Sequence, residues 1–224
     1  MIKITVDNRV LVVEEGANLL KACLENGIFI PNLCYMKGME SPQASCRLCF
    51  VDIEGQKAPV PSCSVRAGEG MAVQTNTPRV RELQWAAFEL LMSNHRIDCG
   101  NCLSKNDCPL IAISRHLKIR LKPMSVKSIT PEPVSENHPC LIYDNSKCVR
   151  CGRCIYACGE TQGRLYLTFV KRGINMGVSF YGDTEDESLP CSRCLVCVKV
   201  CPVSALVSYK RYDPLTAGKG DDDN

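Results

Sequence analysis

The chain has no apolar run near the ~20 residues that a membrane-spanning helix needs, so direct membrane insertion is not expected. It shows no secretory leader: Met1-Ile2-Lys3-Ile4-Thr5-Val6-Asp7 alternates from the start, where a leader would run continuously apolar. It has no G-x-G-x-x-G or other phosphate-cradling loop, which leaves no visible seat for a nucleotide or a flavin. Histidine is scarce, with three residues in 224. These absences point to a reducing cytoplasm, to a chain that reaches a membrane only through partners, and to no catalytic site of its own.

What the chain has is cysteine: seventeen residues, an odd number. Fifteen fall into four sets: Cys34/Cys46/Cys49/Cys63, Cys99/Cys102/Cys108, Cys148/Cys151/Cys154/Cys158 and Cys191/Cys194/Cys197/Cys201. A disulfide framework would call for an oxidising compartment and an even count. Runs of C-x2-C-x2-C instead place neighbouring thiols where they converge on a metal. The second set lacks a member, and His95 stands four residues before it. With His95 included there are sixteen ligands, four for each of four sites. Cys23 and Cys140 are left over, and both are expected to be buried side chains without redox chemistry. His116 and His138 have no partner set and are expected at the surface.

The formal charge of +3 misleads, because ligating thiols are deprotonated. Four thiolates around a doubly positive core leave about −2 per site, or about −1 where an imidazole replaces one thiolate. Four loaded sites therefore bring the chain near −4, which argues against nucleic acid as a partner.

Along the chain, Ile2, Ile4 and Val6, then Val10 and Val12, alternate around Asp7-Asn8 and read as a β-hairpin. Asn18 can cap a short helix with Leu19, Leu20, Cys23 and Leu24. Strands follow at 50–55 and 71–74, completing an α+β block over residues 1–78. Thr77-Pro78 is a helix start, with Pro at the first helical position. Val80, Leu83, Ala87, Leu90 and Leu91 mark the buried stripe of that helix, widened by Trp85 and Phe88. The block 79–121 carries His95, the Cys99 set and a helix over about 109–117. Residues 122–139 hold four prolines and read as an extended connector. From Arg115 to Pro131 there are five Lys/Arg and no acid, either a solvated strip or a contact for an acidic partner. Residues 140–210 contain a duplicated C-x2-C-x2-C-x3-C with a hairpin, 165–170 and 174–181, between the copies. The Gly- and Asp-rich tail, within 211–224, is expected to be disordered.

C-x2-C-x2-C-x3-C is the run that wraps a cubane with three thiolates and sends its fourth to a neighbouring cluster. By that rule Cys148, Cys151, Cys154 and Cys201 hold one [4Fe–4S] cluster, and Cys191, Cys194, Cys197 and Cys158 hold another. Cys201-Pro202 keeps the proline usual after the fourth cysteine, whereas Cys158-Gly159 does not. Zinc also takes four-cysteine sites from paired C-x2-C motifs, but without this crossover. One close pair and two distant thiols on a β-rich block, Cys34, Cys46, Cys49 and Cys63, suit a [2Fe–2S] cluster. His95, Cys99, Cys102 and Cys108 would hold a third [4Fe–4S] cluster. A lone His after a helix is usually a surface residue, yet an imidazole here would complete the set.

The order C-x11-C-x2-C-x13-C, H-x3-C-x2-C-x5-C and a two-cluster ferredoxin resembles the N-terminal half of the large iron–sulfur subunit of NADH dehydrogenase (complex I). It also resembles the N-terminal part of multimeric [FeFe]-hydrogenases, the small diaphorase subunits of NAD-linked hydrogenases and subunits of electron-bifurcating complexes. Pro31-Asn32-Leu33-Cys34-Tyr35, Cys46-Arg47-Leu48-Cys49 and Cys148-Val149-Arg150-Cys151-Gly152-Arg153-Cys154 carry the resemblance. It strengthens His95 as a ligand. Ala44 departs from it, since the family commonly has Gly ahead of the second [2Fe–2S] ligand.

The resemblance implies a β-grasp [2Fe–2S] ferredoxin-like domain, a small helical [4Fe–4S] domain with one His and three Cys ligands, and a bacterial 2×[4Fe–4S] ferredoxin-like domain. The chain ends soon after Cys201, and the catalytic domain that follows in the hydrogenases is not seen. The expectation is an electron-transfer subunit of a cytoplasmic NAD(P)-linked multi-subunit oxidoreductase, of hydrogenase, formate dehydrogenase or electron-bifurcating type. It would relay single electrons between a flavin- and NAD(P)-binding iron–sulfur subunit and a further catalytic subunit or ferredoxin. The alternatives are a free-standing soluble polyferredoxin and a structural zinc scaffold.

Overall fold

A computed structural model of the chain describes residues 1–126, 129, 138, 140–180 and 191–209. Most of the 122–139 connector, Tyr181 and the 211–224 tail lie outside the described residues. The chain forms two compact units, Met1–Met92 with Leu110–Lys127, and Ser93–Pro109 with Ser128–Asn224. The 79–121 segment contributes to both. Among the described residues no helix is long and apolar enough to cross a membrane.

The first unit is built on a five-stranded sheet ordered β2-β1-β5-β3-β4. The strands are β1 (Ile2–Val6), β2 (Arg9–Val13), β3 (Phe50–Ile53), β4 (Val60–Pro61) and β5 (Ala72–Gln74). Asp7 and Asn8 both take left-handed backbone, φ 47° and 68°, the conformation that closes a two-residue hairpin. That turn pairs Val6 with Arg9, Ile4 with Leu11 and Ile2 with Val13. Opposed residues share a face, so Leu11 and Val13 are buried while Val10 and Val12 are 65% and 54% exposed. The register thus turns the strand over relative to the Val10/Val12 expectation. β1 also runs parallel to β5, which joins the hairpin to β3 and β4, and α1 (Leu19–Glu25) follows β2 in the chain. Asn18 caps α1, its Oδ1 accepting from the Lys21 N–H at 3.1 Å. Cys23 is fully buried on α1, and burial, then the Asp7 charge, pushes its thiol up to about 12.

Helix α2 (Pro78–Ser93) starts at Thr77, whose Oγ1 accepts from the Val80 N–H at 3.2 Å. Its inner face is Val80, Gln84, Ala87, Phe88 and Met92. Leu90 is 57% exposed and Trp85 42% exposed, so the expected stripe is corrected by part of a turn. Gln84, which a hydrophobic pattern skips, is 2% exposed because its amide donates to the Phe50 carbonyl at 3.1 Å. The Trp85 indole donates to the Leu117 carbonyl at the end of α3 (Pro109–Leu117), 3.1 Å away.

The second unit pairs β6 (Leu141–Tyr143) antiparallel with the last strand, Leu206–Ser208. Between them lie α4 (Arg153–Gln162), the hairpin β7 (Leu167–Val170) and β8 (Gly177–Phe180), and the short helices α5 (Cys191–Cys194) and α6 (Val196–Lys199). The last strand is β9. The stretch bearing His95 is tied to the loop after β6. Arg96 forms an ion pair with Asp144 at 2.7 Å, and its N–H donates to the Ser146 carbonyl at 2.7 Å. His138, expected at the surface, is 5% exposed, with its ring edge-on to Phe180 at 4.3 Å between centroids. Cys140, expected buried, is half-buried.

Candidate metal centres

No disulfide joins any of the seventeen cysteines. In the first unit, Cys34, Cys46 and Cys49 sit on the loop between α1 and β3, and Cys63 lies in a single 3-10 turn after β4. All four are buried. The Cys34 and Cys46 sulfurs are 3.4 Å apart, and Cys63 shares hydrogen bonds with both Cys34 and Cys49. The four thiols therefore form one contiguous cluster. Those hydrogen bonds hold Cys34 well below the usual thiol range and push Cys46 and Cys63 up, with burial adding to the rise.

Local structure explains the convergence. Ala44 and Arg47 adopt left-handed backbone, φ 48° and 53°, and these reversals wrap the loop around the sulfurs. The Ser62 hydroxyl donates to the Cys49 carbonyl at 2.9 Å, and the Asn18 amide donates to the Cys63 carbonyl at 2.6 Å. The cap of α1 thus also anchors the most distant thiol.

The second unit contains two cavities of similar size. One, about 20 Å³, is lined by Cys148, Cys151 and Cys154 from one run together with Cys201 from the other. The second, about 20 Å³, is lined by Cys191, Cys194 and Cys197 together with Cys158. The remaining walls are largely aliphatic and aromatic, including Val178 and Leu206 in the first cavity and Leu141 and Phe180 in the second. Burial pushes Cys151 and Cys197 up to about 12 and Cys191 up to about 11. Four thiols around a dry space are stabilised by cationic cargo that replaces their protons. Among the described residues no group of three or more His, Cys, Asp or Glu side chains closes on a single ion.

The fourth set is the most open. Cys99 is exposed, and Cys102 and Cys108 are half-buried in a run of turns. His95 is held in orientation: its Nδ1 lies 2.8 Å from the Lys147 carbonyl oxygen. Burial lowers its pKa and so favours the neutral imidazole, the form that can ligate a metal.

Polar groups turned on the thiols were not foreseen from sequence. The Gln162 amide lies 3.1 Å from the Cys194 sulfur, and the Tyr143 hydroxyl hydrogen-bonds to Cys148. Main-chain N–H groups of Arg150 and Ala205 approach Cys148 and Cys201 at 3.4 and 3.2 Å.

Residues 1–78 match the 2Fe-2S iron-sulfur cluster binding domain. Over most of its length the chain is similar to parts of two longer curated proteins. It is 35% identical over 214 residues to an NADH-quinone oxidoreductase subunit of Rhizobium meliloti (strain 1021), covering 93% of this chain and 24% of that protein. It is 32% identical over 216 residues to the HndD subunit of the NADP-reducing hydrogenase of Solidesulfovibrio fructosivorans, covering 94% and 36% respectively. The chain thus spans about a quarter to a third of the length of these curated relatives. Among solved structures it superposes on a chain of the NAD+-reducing [NiFe]-hydrogenase in the H2-reduced state, with a TM-score of 0.79 and 26% identity. That match covers 92% of this chain and 87% of the hydrogenase chain.

Proposed function

We propose that this chain is the electron-transfer subunit of a cytoplasmic NAD(P)-linked multi-subunit oxidoreductase. It would relay single electrons between a flavin- and NAD(P)-binding partner and a second redox partner, such as a hydrogenase subunit or a ferredoxin. The observation that carries this reading is the pair of cavities, each lined by three cysteines of one run and one of the other. Homology to the NADH-quinone oxidoreductase and NADP-reducing hydrogenase subunits supports the NAD(P) linkage.

In this reading Cys34, Cys46, Cys49 and Cys63 hold a [2Fe–2S] cluster. Three [4Fe–4S] clusters are held by His95/Cys99/Cys102/Cys108, by Cys148/Cys151/Cys154/Cys201 and by Cys158/Cys191/Cys194/Cys197. Such clusters supply one-electron steps over a wide range of potentials. The protein's own part is to ligate the iron, exclude water and aim hydrogen bonds. The aliphatic walls keep the dielectric low around the two cavity sites, and the Lys147 carbonyl fixes the His95 ring.

Anaerobic affinity purification of the tagged chain from its host, with mass spectrometry of what accompanies it, tests the assignment. A flavoprotein and a catalytic subunit should co-purify. A solitary brown monomer would favour a free carrier and overturn the fixed-subunit reading.

A further inference from the structure

Helix α4 continues past Cys158, the last cysteine of its run, to Gln162. The second run behaves differently: α6 ends at Lys199, and Cys201 is followed by Pro202 outside any helix. A proline after Cys158 would sit inside α4, where it deletes a helical N–H and clashes with the preceding turn. Gly159 at that position lets the helix run on by another turn. Gln162 then stands four residues beyond Cys158 on the same helical face. Gly163, left-handed at φ 67°, ends the helix with its N–H on the Gly159 carbonyl at 2.9 Å, which fixes where the Gln162 side chain leaves the backbone.

Gln162 lines the cavity of Cys158, Cys191, Cys194 and Cys197, and its Nε2 lies 3.1 Å from the Cys194 sulfur. An amide oxygen turned to a thiolate would be repelled, so the NH2 group faces the sulfur. Leu141, Leu167 and Phe180 form much of the surrounding wall. In such a medium one oriented N–H dipole acts more strongly than it would in water.

We infer that Gln162 is a positioning residue that raises the reduction potential of the cluster in this cage through its hydrogen bond to the Cys194 sulfur. The inference rests on the reading that this cage holds a [4Fe–4S] cluster. One-electron reduction takes a four-thiolate site from about −2 to about −3 without a proton, and a donor to sulfur stabilises the more negative state more. The neighbouring cage has its own donors, the main-chain N–H groups of Arg150 and Ala205 and the Tyr143 hydroxyl, which substitution of Gln162 leaves in place.

Potentiometric EPR on anaerobically purified full-length chain tests this with Gln162→Leu and Gln162→Glu. Iron content should stay at the wild-type level. One [4Fe–4S] midpoint should fall in the Leu variant and fall further in the Glu variant, with the other clusters unmoved. A packing role alone would leave all midpoints in place, and that result overturns the inference. Should the variants lose iron, wild-type chain labelled with 15N in its glutamine side chains decides. A 15N hyperfine coupling on this cluster's EPR signal supports the contact, and its absence overturns it. A wild-type chain with too little iron to fill this cage overturns the cage assignment and the inference with it. Full iron with unmoved midpoints overturns the inference alone.

Discussion

His95 donates its Nδ1–H to the Lys147 carbonyl, 2.8 Å away. A carbonyl oxygen only accepts, so Nδ1 carries the proton and Nε2 keeps its lone pair. An outer-shell carbonyl that sets tautomer and ring orientation is the usual support for a metal-ligating imidazole. His95→Cys should therefore keep a fourth ligand while making the site more negative. The expected outcome is one cluster midpoint displaced downward in potentiometric EPR, with full iron content. An unchanged spectrum and midpoint would show that His95 is not a ligand.

The crossed cavity linings make a prediction that adjacent-cysteine logic would reverse. Cys201→Ser should damage the cluster held with Cys148, Cys151 and Cys154, although it lies in the other run. Cys158→Ser should damage the cluster held with Cys191, Cys194 and Cys197. Pairing each serine variant with a second one at Cys151 or Cys194, and reading cluster content by EPR, separates the two outcomes. Cys201→Ser should add no further cluster loss to Cys151→Ser, but should add to Cys194→Ser.

Ala44 occupies left-handed backbone, φ 48°, in the loop that wraps the first thiol cluster. A side chain with Cβ costs about 1–2 kcal/mol in that region. Ala44→Gly should stabilise the first unit by about 1 kcal/mol after the added freedom of the unfolded chain is counted. A rise in the denaturant midpoint of the loaded protein is the expected reading, and a fall would contradict the strain.

Gln84 is buried in α2 with its amide on the Phe50 carbonyl, next in sequence to Cys49. Gln84→Ala leaves that carbonyl without its donor and opens a cavity, which should cost about 2–3 kcal/mol. Thermal unfolding should show the loss, together with faster bleaching of the cluster in the first unit. Wild-type stability would show that solvent replaces the amide.

Much of this architecture is legible in the sequence where a single residue type is obligatory. Asp7-Asn8 marks the hairpin because few residues accept positive φ, and Thr77-Pro78 marks the start of α2 because proline suits only the first turn. The cysteines announce themselves because iron and zinc chemistry demands thiolates at short spacing. What escapes is polar detail set by distant partners. The Lys147 carbonyl has no residue identity to read, and Gln162 meets Cys194 across 32 positions without any periodic signature. Gln84 interrupts an apolar stripe, and only the Phe50 carbonyl explains its burial. β4 has two residues and β6 and β9 three each, too short to show alternation. His138 is buried by its packing on Phe180, a contact that local sequence does not encode.

The most direct test of the central claim is iron and acid-labile sulfide analysis of the anaerobically purified chain, combined with EPR of the dithionite-reduced protein. One two-iron and three four-iron clusters predict about 14 iron atoms and about 14 sulfides per chain, with one [2Fe–2S] and three [4Fe–4S] signals. A colourless protein that carries zinc and no labile sulfide would contradict it.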